Sequence, residues 1–144
     1  VSGRNPSRIL LGALTVVTGR LVTLVREHCR TADTQAFVEQ LGTVRPEAPK
    51  LLVWDNAPLH HPKVVRHAAE AARITLAFLP FRAPELMPCD DLWRQLKAVV
   101  AANRAYAAVT ELAERAVAWL DAIPPADRLR RSGLTSSKFT WLPT

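Results

Sequence analysis

Methionine and tyrosine occur once each in this chain, cysteine twice, and no apolar run reaches the roughly 18 residues that span a bilayer. Cys29 and Cys89 are isolated, with no CxxC or Cys-His spacing, so neither a disulfide framework nor a thiolate zinc site is supported. A GxSxG elbow and a Cys-His signature are also missing, which argues against a nucleophilic hydrolase. The opening VSGRNPSRILLGAL lacks the small-residue cleavage site of a secretory leader; Gly12 and Gly19 suit a strand and a turn better, so a cytoplasmic protein is expected. Repeats and low-complexity segments are absent. The first residue is Val1 and not Met, compatible with a natural start elsewhere or an unusual start codon.

Against these absences stand 144 residues, 49% hydrophobic and 22% charged, the size and balance of one folded domain rather than a disordered chain. Net charge is +6, so the default partner is anionic, with nucleic acid first; the bland alternative is an ordinary surface in which arginine replaces lysine.

The apolar pattern orders the chain. Arg8–Thr15 and Leu21–Val25 read as strands joined through a turn at Thr18-Gly19-Arg20. Phe37, Val38 and Leu41 give a helix over Thr31–Leu41, with Asp33 to cap its start and Gly42 to end it. Lys50–Trp54 is a continuous apolar strand of the kind buried on both faces, stopped by Asp55-Asn56. Pro62 suits the first position of a helix whose apolar side is Val65, Ala68, Ala69 and Ala72. Ile74–Phe78 is a further strand closed by Leu79-Pro80, and a Pro-spaced loop from Phe81 to Pro88 follows. A helix from near Asp90 has Leu92, Trp93, Leu96, Val99 and Val100 as its inner stripe; another spans Thr110–Ile123 and is stopped by Pro124-Pro125. The tail from Asp127 carries Arg128, Arg130, Arg131 and Lys138. A hairpin followed by alternating helices and strands implies an α/β domain with a mixed sheet.

Functional groups in such sheets collect beyond the C-terminal ends of strands, where Asp55 stands. Asp55-Asn56 can equally be a plain turn, and Asp90 and Asp91 can serve only to cap a helix and complement its dipole. Taken together they say more. The 34 residues between Asp55 and Asp90 hold a helix, a strand and a loop, enough to return a helix N-terminus to a strand end. Two carboxylates converging there would begin a site for a hard divalent cation.

LLVWDNAPLHHPKVVR is similar to the second-aspartate segment of mariner-like bacterial insertion-sequence transposases, where a strand ends in Asp-Asn and a His follows five residues after the Asp. LAFLPFRAPELMPCDDLWRQLK resembles their third-acid segment through Leu79-Pro80, Leu86-Met87-Pro88, Asp90, Trp93 and Lys97. RILLGALTVVTGRLVTLV looks like the second and third strands of these DDE enzymes, and RRSGLTSSKFTWLP like their C-terminus. Met87 replaces the usual Asn, and Asp90 replaces the Glu of bacterial members, although Asp at this spacing is the mariner pattern.

The resemblance implies a ribonuclease-H-like fold, with residues 1–107 the partial catalytic domain and 108–144 a helical tail. It implies three acids holding two Mg²⁺ (or Mn²⁺) ions for phosphodiester cleavage and strand transfer, with DNA terminal repeats and target DNA as partners and a homodimer as the complete enzyme. Asp55 maps to the second acid and Asp90 to the third, with Asp91 as fallback; Asn56, His60 and Lys97 fall near the site or the DNA. His60 can equally be a solvent-facing residue at a helix start, and His61 and His67 read as surface residues. Trp54, Trp93 and Trp119 fit core packing.

The first acid belongs on a strand ahead of Arg8. Glu27, Asp33, Glu39 and Glu47 are the acids that precede Asp55, and none sits within an apolar strand. The expectation is therefore a chain lacking its first acid, its central strand and its helix-turn-helix, inactive alone and exposing unpaired edges on RILLGALT and LLVWD. The competing class is a non-catalytic DNA-binding or dimerisation module.

Overall fold

A computed structural model describes residues 8–80, 87–103 and 108–134. Contacts group the chain into two units, Val1–Glu27 with Pro88–Thr144, and His28–Met87.

The first unit starts with a hairpin, β1 (Ile9–Leu14) and β2 (Leu21–Arg26), paired antiparallel from Ile9↔Arg26 to Leu14↔Leu21. The turn is closed by Thr15 N–H donating to Arg20 O and Gly19 N–H donating to Thr15 O, both at 2.8 Å. Three helices follow: α3 (Pro88–Asn103), α4 (Val109–Ala122) and α5 (Pro125–Arg131). Leu92 and Leu96, one turn apart on α3, meet Ala116, Leu120 and Ile123, while Leu10, Leu21, Trp93, Val100 and Trp119 pack around them. Leu92, Trp93, Leu96 and Val100 of the predicted α3 stripe join this cluster, while Val99 is not among its residues, and the helix begins at Pro88. Proline is well placed there because the first turn needs no N–H donor.

α5 corrects the sequence reading. Pro124-Pro125 stops α4 but also starts a new helix, with Pro124 as its N-cap and Pro125 in its first turn. Arg128 is no surface cation: it is 8% exposed and donates to the carbonyls of Leu120, Asp121 and Gly19, each at 3.2 Å. Leu120 and Asp121 lie in the last turn of α4, where free carbonyls and the helix dipole favour a cation. One side chain thus closes α4 and fastens the hairpin turn to it.

The second unit contains α1 (Thr31–Gly42), β3 (Lys50–Trp54), a 3-10 turn (Pro58–His60), α2 (Lys63–Ala71) and β4 (Ile74–Phe78). β3 and β4 pair in parallel from Lys50↔Ile74 to Trp54↔Phe78, and Leu79 N–H extends the ladder to Trp54 O at 2.9 Å. A parallel pair needs a crossover, which the 3-10 turn and α2 provide. Phe37, Val38 and Leu41 of α1 and Val65 and Ala69 of α2 are buried, as the spacing predicts.

Three local expectations are revised here. Asp33 caps α1 from inside its first turn, accepting from Arg30 N–H at 2.9 Å, rather than from the N-cap position. Gly42 does not terminate α1 but completes it: a Cβ at Gly42 would lie 2.6 Å from that of Ala72, so the residue allows close helix packing. β3 is not buried on both faces. Leu51 is 66% exposed, while Trp54 on the opposite face is buried.

The α/β class and the mixed pairing senses are present, but the described strands form two two-stranded sheets, β1-β2 and β3-β4. β1 and β3 each keep one edge without a strand partner among the described residues. No helix among them is long and apolar enough to cross a membrane. Most of the predicted Pro-spaced loop, Lys138, and the ending from residue 135 lie outside the described residues.

Candidate acidic site

β3 and β4 end side by side in aromatic residues, Trp54 and Phe78, with ring centroids 6.0 Å apart. Directly after β3, Asp55 turns the chain: its Oδ1 accepts from Ala57 N–H at 3.2 Å, as an Asx turn does. The chain then coils through Pro58–His60 and brings two histidines back over the strand ends. The His60 ring lies on Trp54, centroids 4.0 Å apart and planes 3° apart. Its Nδ1 is 2.9 Å from both the backbone carbonyl and Oδ1 of Asp55. Both are acceptors, so the proton sits on Nδ1 and is shared between them.

His61 repeats the arrangement one residue on. Its ring stacks on Phe78 at 4.4 Å and 16°, and its Nε2 donates to Asn56 Oδ1. Arg66 of α2 fixes the turn from behind, Nε donating to the His61 carbonyl at 2.8 Å. His61 is half-buried and not the surface residue the sequence implies, whereas His67 is exposed as expected. Recognising His61 from sequence would require knowing that Trp54 and Phe78 are register partners.

Asp55 keeps 68% of its side chain exposed although one of its oxygens is tied down, while His60 retains 19%. The buried Trp54 Nε1 has no hydrogen-bond partner among the described residues. The structure therefore brings Asp55, Asn56, His60 and His61 together as a hydrogen-bonded cluster.

The other predicted residues ride on α3 in the first unit. Asp90 and Asp91 occupy its first turn, where carboxylates complement the helix dipole. Asp91 is 3.1 Å from Arg94 as an i,i+3 ion pair. Asp90 is half-buried. The start of α3 is pinned to the hairpin in two ways. Trp93 lies over Gly12, where a Cβ would collide with the indole ring, and Cys89 has a backbone hydrogen bond with Leu14. Part of Cys89 is exposed, yet burial of its thiol pushes the pKa up to about 11, the Leu14 hydrogen bond opposing and the Asp90 charge adding. Lys97 is exposed about two turns beyond Asp90 on the same face. Met87 precedes α3 and is half-buried. Among the described residues, no three His, Cys, Asp or Glu side chains gather as a ready-made metal cluster.

The sequence model of the DDE superfamily endonucleases matches residues 1–113. The chain belongs to that family. The match takes in both acidic segments, Asp55 and Asp90 included. An uncharacterised protein of Sinorhizobium fredii, y4pE/y4sA, is 31% identical to this DDE chain over 98 residues, a stretch equal to 67% of this chain and 70% of the relative.

Proposed function

We propose that this DDE chain belongs to a mariner-like bacterial insertion-sequence transposase, with Asp55 as second acid and Asp90 as third. The observation that carries the reading is the state of Asp55: Oδ1 held by Ala57 and His60, the carboxylate otherwise facing solvent. A ligand for a cation needs that combination of fixed direction and access. The donors are carboxylate oxygens, and His60 is turned through Nδ1 toward Asp55, so the set suits an oxygen-seeking cation such as Mg²⁺ or Mn²⁺. In the complete enzyme two such ions, when bound, supply activation of the attacking hydroxyl and neutralisation of charge on the leaving oxygen.

The chain's own groups divide the remaining work. Asp55 and Asp90 hold the cations, His60 orients Asp55, and Asn56 and Lys97 contact the DNA backbone. We take residues 1–107 as part of a ribonuclease-H-like catalytic domain and 108–144 as its helical tail. Terminal repeats and target DNA are the partners, in the bacterial cytoplasm, and the complete enzyme works as a homodimer. Asp55 and Asp90 are the two acids this reading assigns.

The test is duplex binding over a salt series, with and without Mg²⁺. Affinity should fall steeply with salt and rise with Mg²⁺, and Asp55→Asn should abolish the Mg²⁺ increment while leaving the salt slope. Binding indifferent to Mg²⁺ and to Asp55→Asn would instead support a non-catalytic DNA-binding module. Mg²⁺-dependent nicking by the chain, lost on Asp55→Asn, would show that two acids suffice.

A further inference from the structure

Two histidines fold back over two strand-end aromatics, but only the first reaches Asp55; the second is spent on Asn56. We propose that His61 is a positioning residue that aims the Asn56 carboxamide at a phosphate oxygen of the DNA strand held at Asp55. The inference rests on the DNA reading above and assigns a role to a residue whose sequence pattern implied none.

His61 is restrained from three sides. Phe78 stacks on its ring, Arg66 Nε holds its carbonyl at 2.8 Å, and its own N–H bonds Pro58 O at 3.3 Å. A ring held in that way presents Nε2 in one direction, and Asn56 Oδ1 accepts there. An asparagine carboxamide has one acceptor end and one donor end. With the acceptor turned inward to His61, the two N–H donors face the other way. Phosphate oxygens only accept hydrogen bonds, so a donor is what a DNA backbone needs beside a carboxylate that would otherwise repel it. Were the carboxamide free to rotate, its oxygen would face the phosphate half the time.

A purely structural His61 would serve through its ring alone, and phenylalanine would replace it. The experiment uses the whole chain and a short DNA duplex, with His61→Phe, His61→Gln, Asn56→Ala and the double variant His61→Phe/Asn56→Ala. Two readouts are taken: the Asn56 side-chain amide signals in a ¹H–¹⁵N spectrum without DNA, and the Kd for the duplex at fixed salt. His61→Phe should shift the Asn56 amide signals and weaken binding about fivefold, the worth of one hydrogen bond. His61→Gln, which keeps a donor, should recover part of the loss. Asn56→Ala should weaken binding similarly, and the double variant no further, because the two act in series. Unshifted Asn56 signals in His61→Phe, or additive losses in the double variant, would overturn the inference. A wild-type chain that does not bind the duplex overturns the DNA reading and the phosphate contact with it. Binding that is indifferent to His61→Phe overturns this inference alone.

Discussion

The two cysteines differ sharply in environment. Cys29 is exposed, whereas burial pushes Cys89 up to about 11, against a Leu14 hydrogen bond and with help from the Asp90 charge. Thiolate is the reactive form, so a disulfide-exchange reagent at neutral pH should modify Cys29 quickly and Cys89 only on unfolding. The linkage has a definite sign. Below the ordinary thiol value of 9.0, Cys89 is protonated in the folded and unfolded chain alike and stability is indifferent to it. Between 9.0 and about 11 the unfolded thiol ionises first, so stability should fall as pH rises through that window. Melting curves of wild type and Cys89→Ala over the same range should diverge there and nowhere below. At this scale the sequence placed Asp55 directly after a strand, where it is found. It could not disclose His61 or Arg128, whose roles depend on Phe78 and on the Leu120, Asp121 and Gly19 carbonyls, distant in the chain.

Elements were read well wherever an apolar stripe marks them. Phe37, Val38 and Leu41, and again Leu92 and Leu96, repeat at helical spacing and are buried accordingly. Within the helical tail, α5 has no marked bounds in the sequence, because Pro124-Pro125 ends one helix and begins the next and seven residues without a clear stripe give no periodic signal. Gly42 was read as a stop signal because glycine does both jobs, ending helices and letting them approach. Its contact with Ala72 makes the two roles separable. Gly42→Ala improves helix propensity by up to about 1 kcal/mol but overpacks the contact, which typically costs about 1–3 kcal/mol. A net loss of stability in denaturant titration is expected, and Ala72→Gly added to Gly42→Ala should restore part of it. Replacing Arg128 with Met removes a donor from three carbonyls, of which Leu120 O still accepts from Ile123 N–H. The expected cost is about 2–4 kcal/mol, read as an earlier unfolding midpoint with an unchanged slope.

For the whole molecule, the sequence predicted an α/β class with one mixed sheet; the α/β class is found, but the described strands form two separate two-stranded sheets. Strand pairing is a long-range choice, and RILLGALT carries no mark of its neighbour beyond the hairpin. The edges of β1 and β3 that lack a strand partner among the described residues have a testable consequence. Two-stranded sheets are weakly stable in isolation and their open edges recruit other chains. Sedimentation should show self-association that grows with concentration, and charged substitution of the exposed Leu51, as Leu51→Lys, should reduce it. The net charge of +6 acts at the same scale, favouring an anionic partner such as nucleic acid.

The proposed roles of Asp55 and Asp90 as the second and third acids of a DDE enzyme make both of them ligands for divalent cations. Paramagnetic Mn²⁺ titrated into the ¹⁵N-labelled chain tests this most directly, because broadening reports proximity to the ion residue by residue. At low Mn²⁺ the amide signals of Asp55–Ala57 and of Asp90–Asp91 should both broaden, and Asp55→Asn should relieve the broadening at Asp55–Ala57. Broadening at one segment that leaves the other sharp, or that survives Asp55→Asn at Asp55–Ala57, would contradict the account.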